Sequence, residues 1–314
     1  MGRFCASPDR FCSCDRTLPC MILPDGTMIE KGVCPLKTWW ACTRVLIITF
    51  AVAVIAGRNP SAGQGGKEGG NPKAIPVASE PHHHLSFQNH YVRVFEVRLA
   101  PQESTLLHQH DSDYIYFAIG DAQLSTSVPG EAITQVKLKD REVGFTRGGF
   151  AHVVHNGGNQ EFRVTDVDLV QPQGKLRNLC LQVVADEPLA CPEASVIVKE
   201  DAPFTERPEF ETQKTRVVLV RLRGHGEFPL SDGKWDQLVV SVDESVLAPT
   251  NGKGPERLLH PGDFAWLGRG GIARVLKNHS DKEAWIYRVE MRSSAPEEAA
   301  KGPIVGAPLA PKKP

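Results

Sequence analysis

The chain has 314 residues, a length that suits two domains of average size. Hydrophobic residues make up 41% and charged residues 23%, so the chain can bury an ordinary core and is neither collagen-like nor disordered throughout. Lys and Arg total 36 against 37 Asp and Glu, which leaves no general electrostatic attraction to anionic lipid or nucleic acid. No nucleic-acid partner is therefore expected.

Residues 37–63 have the three parts of a secretory signal peptide. A basic start is followed by an apolar run over 45–57 and by the small residues Ser61, Ala62 and Gly63. At 1.5 Å per residue the run reaches roughly 20 Å, short of a bilayer core of about 30 Å. We expect cleavage and export to the periplasm or the extracellular space, with no integral membrane span afterwards. The alternative is a membrane anchor formed by residues 39–57.

Six of the eight cysteines lie in the first 42 residues. Residues 1–36 include Cys12, Cys14 and Cys20, which are compatible with a small metal site. No apolar core accompanies them, so this extension is interpreted as a start codon assigned too far upstream. In an exported protein the remaining pair, Cys180 and Cys191, is expected to form a structural disulfide.

The rest of the chain has the pattern of short strands. Residues 64–81 are rich in Gly and Lys and predict a flexible leader, whereas the Ala- and Pro-rich residues 293–314 predict a disordered tail. Between them, stretches of alternating apolar residues such as 91–99 recur between clusters of Gly, Pro, Asp and Asn, and no long segment keeps a helical period. This pattern predicts an all-β sandwich or barrel.

The sequence also contains a repeat. Residues 93–120 align without a gap on 216–243 at an offset of 123, and 147–156 align on 269–278 at an offset of 122. A near-constant offset over this length indicates a tandem duplication of one β domain. The predicted copies cover 82–175 and 193–292, with a linker over 176–192.

Three histidines of the first copy form a candidate metal site. His108 and His110 are two residues apart, so on a strand they point to the same face. His152 follows within the motif Gly149-x-x-His152-x-x-x-Asn156, and a facing strand would bring it to the same place. Three imidazoles are a suitable ligand set for a divalent transition metal.

With these residues the chain resembles the cupin superfamily, and its two copies make it similar to a bicupin. The resemblance implies two tandem jelly-roll barrels and one divalent metal in the first, which would be Fe, Mn, Zn, Ni or Cu. It also implies a small-molecule ligand or substrate and a homodimer formed through edge strands. The function would be that of a small-molecule dioxygenase or isomerase; the alternative is a non-catalytic protein that binds a small molecule or metal in the cell envelope.

The chain departs from the cupin motifs at two positions. Tyr114, or Ile115 at the longer spacing, occupies the place of the usual glutamate ligand, and Arg147 replaces the proline of the second motif. Tyr114 is the candidate catalytic residue, because a phenol facing the pocket can orient a substrate or act as an acid. The alternative is an aromatic residue that lines the barrel.

The second copy has lost all three histidines. Ser231, Gly233 and Arg274 align with His108, His110 and His152, so the second barrel is expected to be degenerate.

Comparison of the two copies also predicts which polar residues are structural. Asp113 aligns with Asp236, which persists where no metal site remains, so a turn or hydrogen-bonding role is expected. Asn156 is kept in both copies and is assigned to a turn. His155 is expected to point outward. The tract 82–84 is three successive histidines; it could bind metal loosely, but its place beside the leader favours a solvated segment.

Overall fold

The computed structural model describes residues 73–191, 202–230, 234–250, 252, 254–270 and 274–293, together with two short strands nearer the N-terminus. Those two strands, β1 (Met21–Ile22) and β2 (Met28–Ile29), pair with each other in an antiparallel manner. Residues 37–63, which carry the signal-peptide prediction, and residues 294–314 lie outside the described residues. No helix in the described ranges is long and apolar enough to cross a membrane.

The first barrel consists of ten strands and one turn of 3-10 helix, Val77–Ser79. Its strands are β3 (Ile75–Pro76), β4 (His83–Gln88), β5 (Val92–Leu99), β6 (His108–His110), β7 (Asp113–Ala118), β8 (Ala122–Ser127), β9 (Thr134–Leu138), β10 (Val143–Thr146), β11 (Phe150–Asn156) and β12 (Phe162–Leu169). They form two sheets with the orders β10-β7-β12-β5-β4 and β3-β6-β11-β8-β9, and only β3 and β6 run parallel.

The second barrel repeats this arrangement. Its strands are β13 (Arg177–Asn178), β14 (Phe204–Glu211), β15 (Thr215–Leu222), β16 (Glu227–Leu230), β17 (Asp236–Ser241), β18 (Ser245–Pro249), β19 (Arg257–Leu259), β20 (Phe264–Leu267), β21 (Arg274–Lys277) and β22 (Ala284–Met291). The sheet orders are β13-β14-β15-β22-β17-β20 and β16-β21-β18-β19. Apart from the edge strands β3 and β13, the two barrels match strand for strand, so the predicted all-β duplication is confirmed.

The duplication extends to irregular details. The register of β4 against β5 shifts between Leu85 and Phe87, and that of β14 against β15 shifts at the corresponding place, between Pro208 and Phe210. A β-bulge of this kind lets two residues face one on the partner strand. Both copies have kept it.

The six-stranded sheet of the second barrel and the β12-containing sheet of the first share one hydrophobic core. Val167 and Leu169 of β12 belong to the same buried cluster as Leu219 and Val289 of the second barrel. Side chains alternate across a strand, so the even-numbered residues of β12 face the interior of the first barrel instead. Strand β12 is thus both a wall of the first barrel and part of the contact with the second.

The described residues include parts of the segments predicted to be a linker and a leader. Cys180 and Cys191 form a disulfide, as predicted. Strand β13 lies within the range 176–192 expected to be a linker and pairs with β14. Strand β3 and the buried Glu80 lie within the range 64–81 expected to be a leader, and both belong to the first barrel.

Candidate metal centre

The three predicted histidines meet inside the first barrel. His108 and His110 lie on β6 with their side chains on one face, and His152 on β11 is the register partner of His108. The Nε2 atoms of His108 and His152 are 3.1 Å apart, and all three side chains are buried. His108 and His110, two residues apart on β6, and His152, opposite His108 on β11, therefore lie together as the sequence indicated.

A fourth histidine, His83, belongs to this cluster. The expectation of a solvated tract is wrong for this residue, whose exposed fraction is 7%, although His84 beside it is exposed. The His83 ring lies 4.6 Å from the His108 ring and 5.8 Å from the His110 ring, measured between centroids. His83 faces inward because β4 forms part of the barrel wall, and every second side chain of such a strand faces the interior.

Hydrogen bonds fix the orientation of two of these rings. Nδ1 of His108 donates to the carbonyl oxygen of Leu106 at 2.8 Å, and Nδ1 of His83 donates to Oε2 of Glu80 at 2.7 Å. Since Nδ1 carries the proton in each case, Nε2 is the nitrogen that can offer a lone pair. Partners of this kind orient histidine ligands in metal sites.

The electrostatics of the cluster keep His108 and His152 uncharged. Burial is the main cause that lowers the pKa of His108 to about 4 and that of His152 to about 3, and the neighbouring histidines add to both shifts. Burial alone would raise the pKa of Glu80, but hydrogen bonds from His83, His82 and the Leu106 amide outweigh it and lower that pKa to about 2. Neutral imidazoles beside an ionised carboxylate are the protonation states that a metal requires of its histidine ligands.

The donor set fits a divalent transition metal. One ligand atom each from His83, His108 and His110 lies within 4.8 Å of the others. Nδ1 of His110 is buried and has no hydrogen-bond partner among the described residues. Several imidazoles directed at one point suit Fe, Mn, Zn, Ni or Cu without selecting among them.

Sequence reasoning also missed Asp166, a buried carboxylate at the edge of the cluster. Its Oδ2 lies 3.9 Å from Nε2 of His83, and its Oδ1 has no hydrogen-bond partner within the described ranges. Burial raises the pKa of Asp166 to about 6, although His83 and His110 oppose that shift. The available signal was its phase: Asp166 lies on the same face of its strand as Phe162 and Val164, which are barrel-interior residues.

Tyr114 faces the cavity, as the sequence suggested. Its ring stacks on His110 with centroids 4.3 Å apart, and burial raises the pKa of its hydroxyl above the ordinary value, so the group stays protonated. Ile115, at the longer spacing, faces the other way and is buried in the core shared with the second barrel. The position of the usual glutamate ligand is therefore filled by a phenol.

The cavity beside the histidines has a volume of about 350 Å³. His83, His110, His152 and Asp166 line part of it, and apolar side chains line most of the remainder. Tyr116 contributes a second hydroxyl, and burial raises its pKa to about 12. In the second barrel the corresponding interior is filled by a cluster of apolar side chains that includes Phe228, Leu247 and Ile286.

The remaining motif residues have structural partners. Asp113 accepts hydrogen bonds from the Arg147 guanidinium at 2.7 Å and from the Gly148 amide at 3.1 Å. Asp236 accepts one from the Arg269 amide at 2.9 Å, and its carboxylate lies 3.5 Å from the guanidinium of the same arginine. The arginine that replaces the motif's proline thus pairs with the same aspartate position in both copies. The predicted hydrogen-bonding role of Asp113 is confirmed.

The side chain of His155 also lies where it was expected. It is hydrogen bonded to Ser104 at 2.9 Å, away from the cluster.

No protein-family model matches the sequence, and a comparison with curated proteins found no significant relative. Among solved structures, AerE from Microcystis aeruginosa is similar over 69% of this chain and 96% of its own, with 12% identity and a TM-score of 0.49. Procruciferin, an 11S globulin from Brassica napus, is similar over 65% of this chain and 77% of its own, with 10% identity and a TM-score of 0.44. A point mutant of the salicylate 1,2-dioxygenase from Pseudoaminobacter salicylatoxidans is similar over 64% and 71%, with 12% identity and a TM-score of 0.42.

Three features of this chain indicate the same architecture. The two barrels have matching strand orders, and both contain the bulge in their first long strand pair. The first barrel also contains the motif residues His108, His110, His152 and Asn156. Together they show that the chain has the fold of a bicupin, two tandem cupin-type barrels of which the second lacks the three histidines.

Proposed function

We propose that the first barrel binds one divalent transition metal through His108, His110 and His152, and takes a small molecule into the adjoining cavity. The observation that carries the proposal is the convergence of these three buried imidazoles, two of which, His110 and His152, line a cavity of about 350 Å³. A purely structural cluster would be expected to satisfy its own polar atoms, whereas Nδ1 of His110 has no hydrogen-bond partner in the described part of the chain, although Oδ1 of the buried Asp168 lies 3.6 Å away.

The reaction that this arrangement supports best is oxygenation or isomerisation of the bound molecule. When bound, the metal supplies Lewis-acid or redox chemistry. Tyr114 keeps its proton and can donate a hydrogen bond to a substrate oxygen. Asp166, with a pKa of about 6, can accept a proton at Oδ1 and return it.

The lining of the cavity restricts the class of molecule. Of the residues that line it, none is a lysine or an arginine, and the one carboxylate is Asp166. A ligand carboxylate would therefore lack a side-chain counter-ion there. The metal would then be the positive charge available to an anionic group of the ligand. We infer that the ligand is mainly apolar, with one or two polar or anionic atoms that reach the metal and the hydroxyls of Tyr114 and Tyr116.

We further propose that the protein is exported. The disulfide between Cys180 and Cys191 supports this, because such bonds persist in oxidising compartments. Cell fractionation, with N-terminal sequencing of the protein recovered, tests the proposal. Cleavage after residue 63 is expected, and an intact N-terminus in the cytosolic fraction would contradict it.

Elemental analysis of the purified protein tests the metal site. We expect about one equivalent of a transition metal, lost in the His108→Ala/His110→Ala double variant and retained in His155→Ala, whose side chain lies outside the cluster. Absence of metal from the wild type, even after reconstitution, would refute the proposal.

A panel of mainly apolar small molecules, with and without an anionic group, assayed for oxygen uptake and for product, then separates enzyme from binder. For an enzyme, Tyr114→Phe should keep metal and fold and lose turnover. Binding without turnover in the wild type would leave a metal-dependent binding protein.

A further inference from the structure

The first barrel lacks the glutamate that the cupin motif places beside its histidines, yet His83 brings a fourth imidazole to the same cluster. His83 reaches it from β4, a strand that contributes nothing to the two sequence motifs. Its ring lies 4.6 Å from that of His108, which is the same centroid distance as between His108 and His152. By distance, His83 is as much a member of the cluster as His152.

The hydrogen bond of His83 directs the free nitrogen toward the cluster. Nδ1 is bound to Glu80, a carboxylate that is itself buried and also holds the Leu106 amide at 3.1 Å. The other ring nitrogen, Nε2, is therefore the one that faces Asp166 and the cavity. A histidine whose distal nitrogen is fixed by a carboxylate is a recurrent arrangement for metal ligands.

The second barrel shows what a purely structural pair at these positions looks like. In the registers of the two barrels, Glu206 takes the place of His83 and Arg288 that of Asp166. Glu206 and Arg288 form a direct salt bridge at 2.8 Å. Nε2 of His83 and Oδ2 of Asp166 are 3.9 Å apart, which is within ion-pair range but beyond hydrogen-bond distance, so the first barrel keeps two polar side chains at this place with no hydrogen bond between them.

We propose that His83 is a fourth protein ligand of the metal, taking the part of the absent glutamate, and that Glu80 is its positioning residue. This inference rests on the proposed function, since it concerns the same metal. It predicts a site of four imidazoles drawn from β4, β6 and β11. A motif search alone would recover three of them.

Titration of the metal-free protein with Co²⁺ tests the proposal, because the visible ligand-field bands of Co²⁺ report the type and number of its ligands. The wild type should bind one equivalent. His83→Gln should bind at least about tenfold more weakly and with changed bands, because a water or an amide replaces an imidazole. Glu80→Gln should weaken binding by about 10- to 100-fold, the range seen when the partner of a metal-bound histidine is removed. His84→Gln, an exposed neighbour on the same strand, is the matched control and should behave as the wild type.

The outcomes separate this inference from the proposed function. If His83→Gln binds Co²⁺ with the affinity and bands of the wild type, His83 is not a ligand and the three-histidine proposal stands alone. If the wild type binds no Co²⁺, both fail. Should His83→Gln not fold, as judged by its circular dichroism, Glu80→Gln decides, and unchanged affinity and bands in that variant would overturn the proposal.

Discussion

Asn156 offers a quantitative test of whether a residue of the cupin motif is structural. Its Nδ2 lies within hydrogen-bond distance of the carbonyl oxygens of Leu99, Ala100 and Gln160, at 3.1, 3.2 and 2.8 Å. Its Oδ1 accepts from the Gly158 amide at 3.0 Å. The side chain thus ties the end of β5 to the turn between β11 and β12.

Asn278 repeats these contacts in the second barrel. Its Nδ2 reaches the carbonyl oxygens of Leu222, Arg223 and Lys282 at 3.3, 2.9 and 2.6 Å, and its Oδ1 accepts from the Ser280 amide at 3.0 Å. The second barrel lacks the three histidines of the proposed metal site, so a role at that site cannot account for Asn278. The pair therefore provides an internal control.

The expected cost follows from the bonds that are lost. An alanine removes two amide hydrogens and one acceptor, and each hydrogen bond contributes about 1 kcal/mol. Asn156→Ala should therefore lower the free energy of unfolding by about 3 kcal/mol, and Asn278→Ala by a similar amount. Urea unfolding followed by far-ultraviolet circular dichroism measures both.

Asn156→Ala should also keep the metal stoichiometry of the wild type when the folded protein is reconstituted. A loss of less than about 1 kcal/mol would refute the structural role that the bonds indicate. Loss of metal from a variant with unchanged stability would show that Asn156 serves the metal site directly.

Three further substitutions test other parts of the structure. Burial raises the pKa of the Glu209 carboxyl above its ordinary value of 4.5, so the folded protein binds this proton more firmly than the unfolded chain. The free energy of unfolding therefore falls as the pH rises from 4.5 through the raised pKa. Glu209→Gln should remove this pH dependence, as urea unfolding at about pH 5 and pH 7 would show. A Cβ at Gly144 would lie 2.2 Å from the Tyr116 ring, so Gly144→Ala should displace that ring and lower the free energy of unfolding by about 1–3 kcal/mol. Calorimetry should also show changed small-molecule binding without loss of metal. The disulfide closes a loop with a sequence separation of 11, for which the lost chain entropy of the unfolded state stabilises the fold by about 3 kcal/mol. Cys180→Ser/Cys191→Ser should lower the free energy of unfolding by this amount, and a melting temperature equal to that of the wild type would contradict the expectation.

The fold could be predicted because its signals are local and repeated. Alternation of apolar residues identified the strands, and the offset of the two copies identified the duplication. His108 and His110 could be placed because a spacing of two has one geometric meaning on a strand. The disulfide followed from the scarcity of cysteines after residue 42.

The rest of the site depends on contacts that no local pattern encodes. His83 stands in a run of three histidines beside a Gly-rich segment, and the bulge after Leu85 interrupts the alternation that would have marked its inward face. Its partner Glu80 is buried although the surrounding composition resembles a leader. Extending the repeat upstream would have aligned His83 with Glu206, a polar residue on an otherwise strand-like segment, and that was the one available signal.

Strand β12 contacts both the cavity of the first barrel and the core that it shares with the second. Asp166 projects from one side of it toward the imidazoles, while Val167 and Leu169 on the other side are held against Leu219 and its neighbours. Because β12 is packed on both faces, it has little freedom to slide or twist. The Asp166 carboxylate is therefore held at a fixed distance from the histidines before a ligand binds. The duplicate that lost its own histidines is consequently a supporting wall of the copy that kept them. The interior of the second barrel can therefore change as long as its outer face continues to fit, which explains how one half of a duplicated protein can lose its histidines and still be retained.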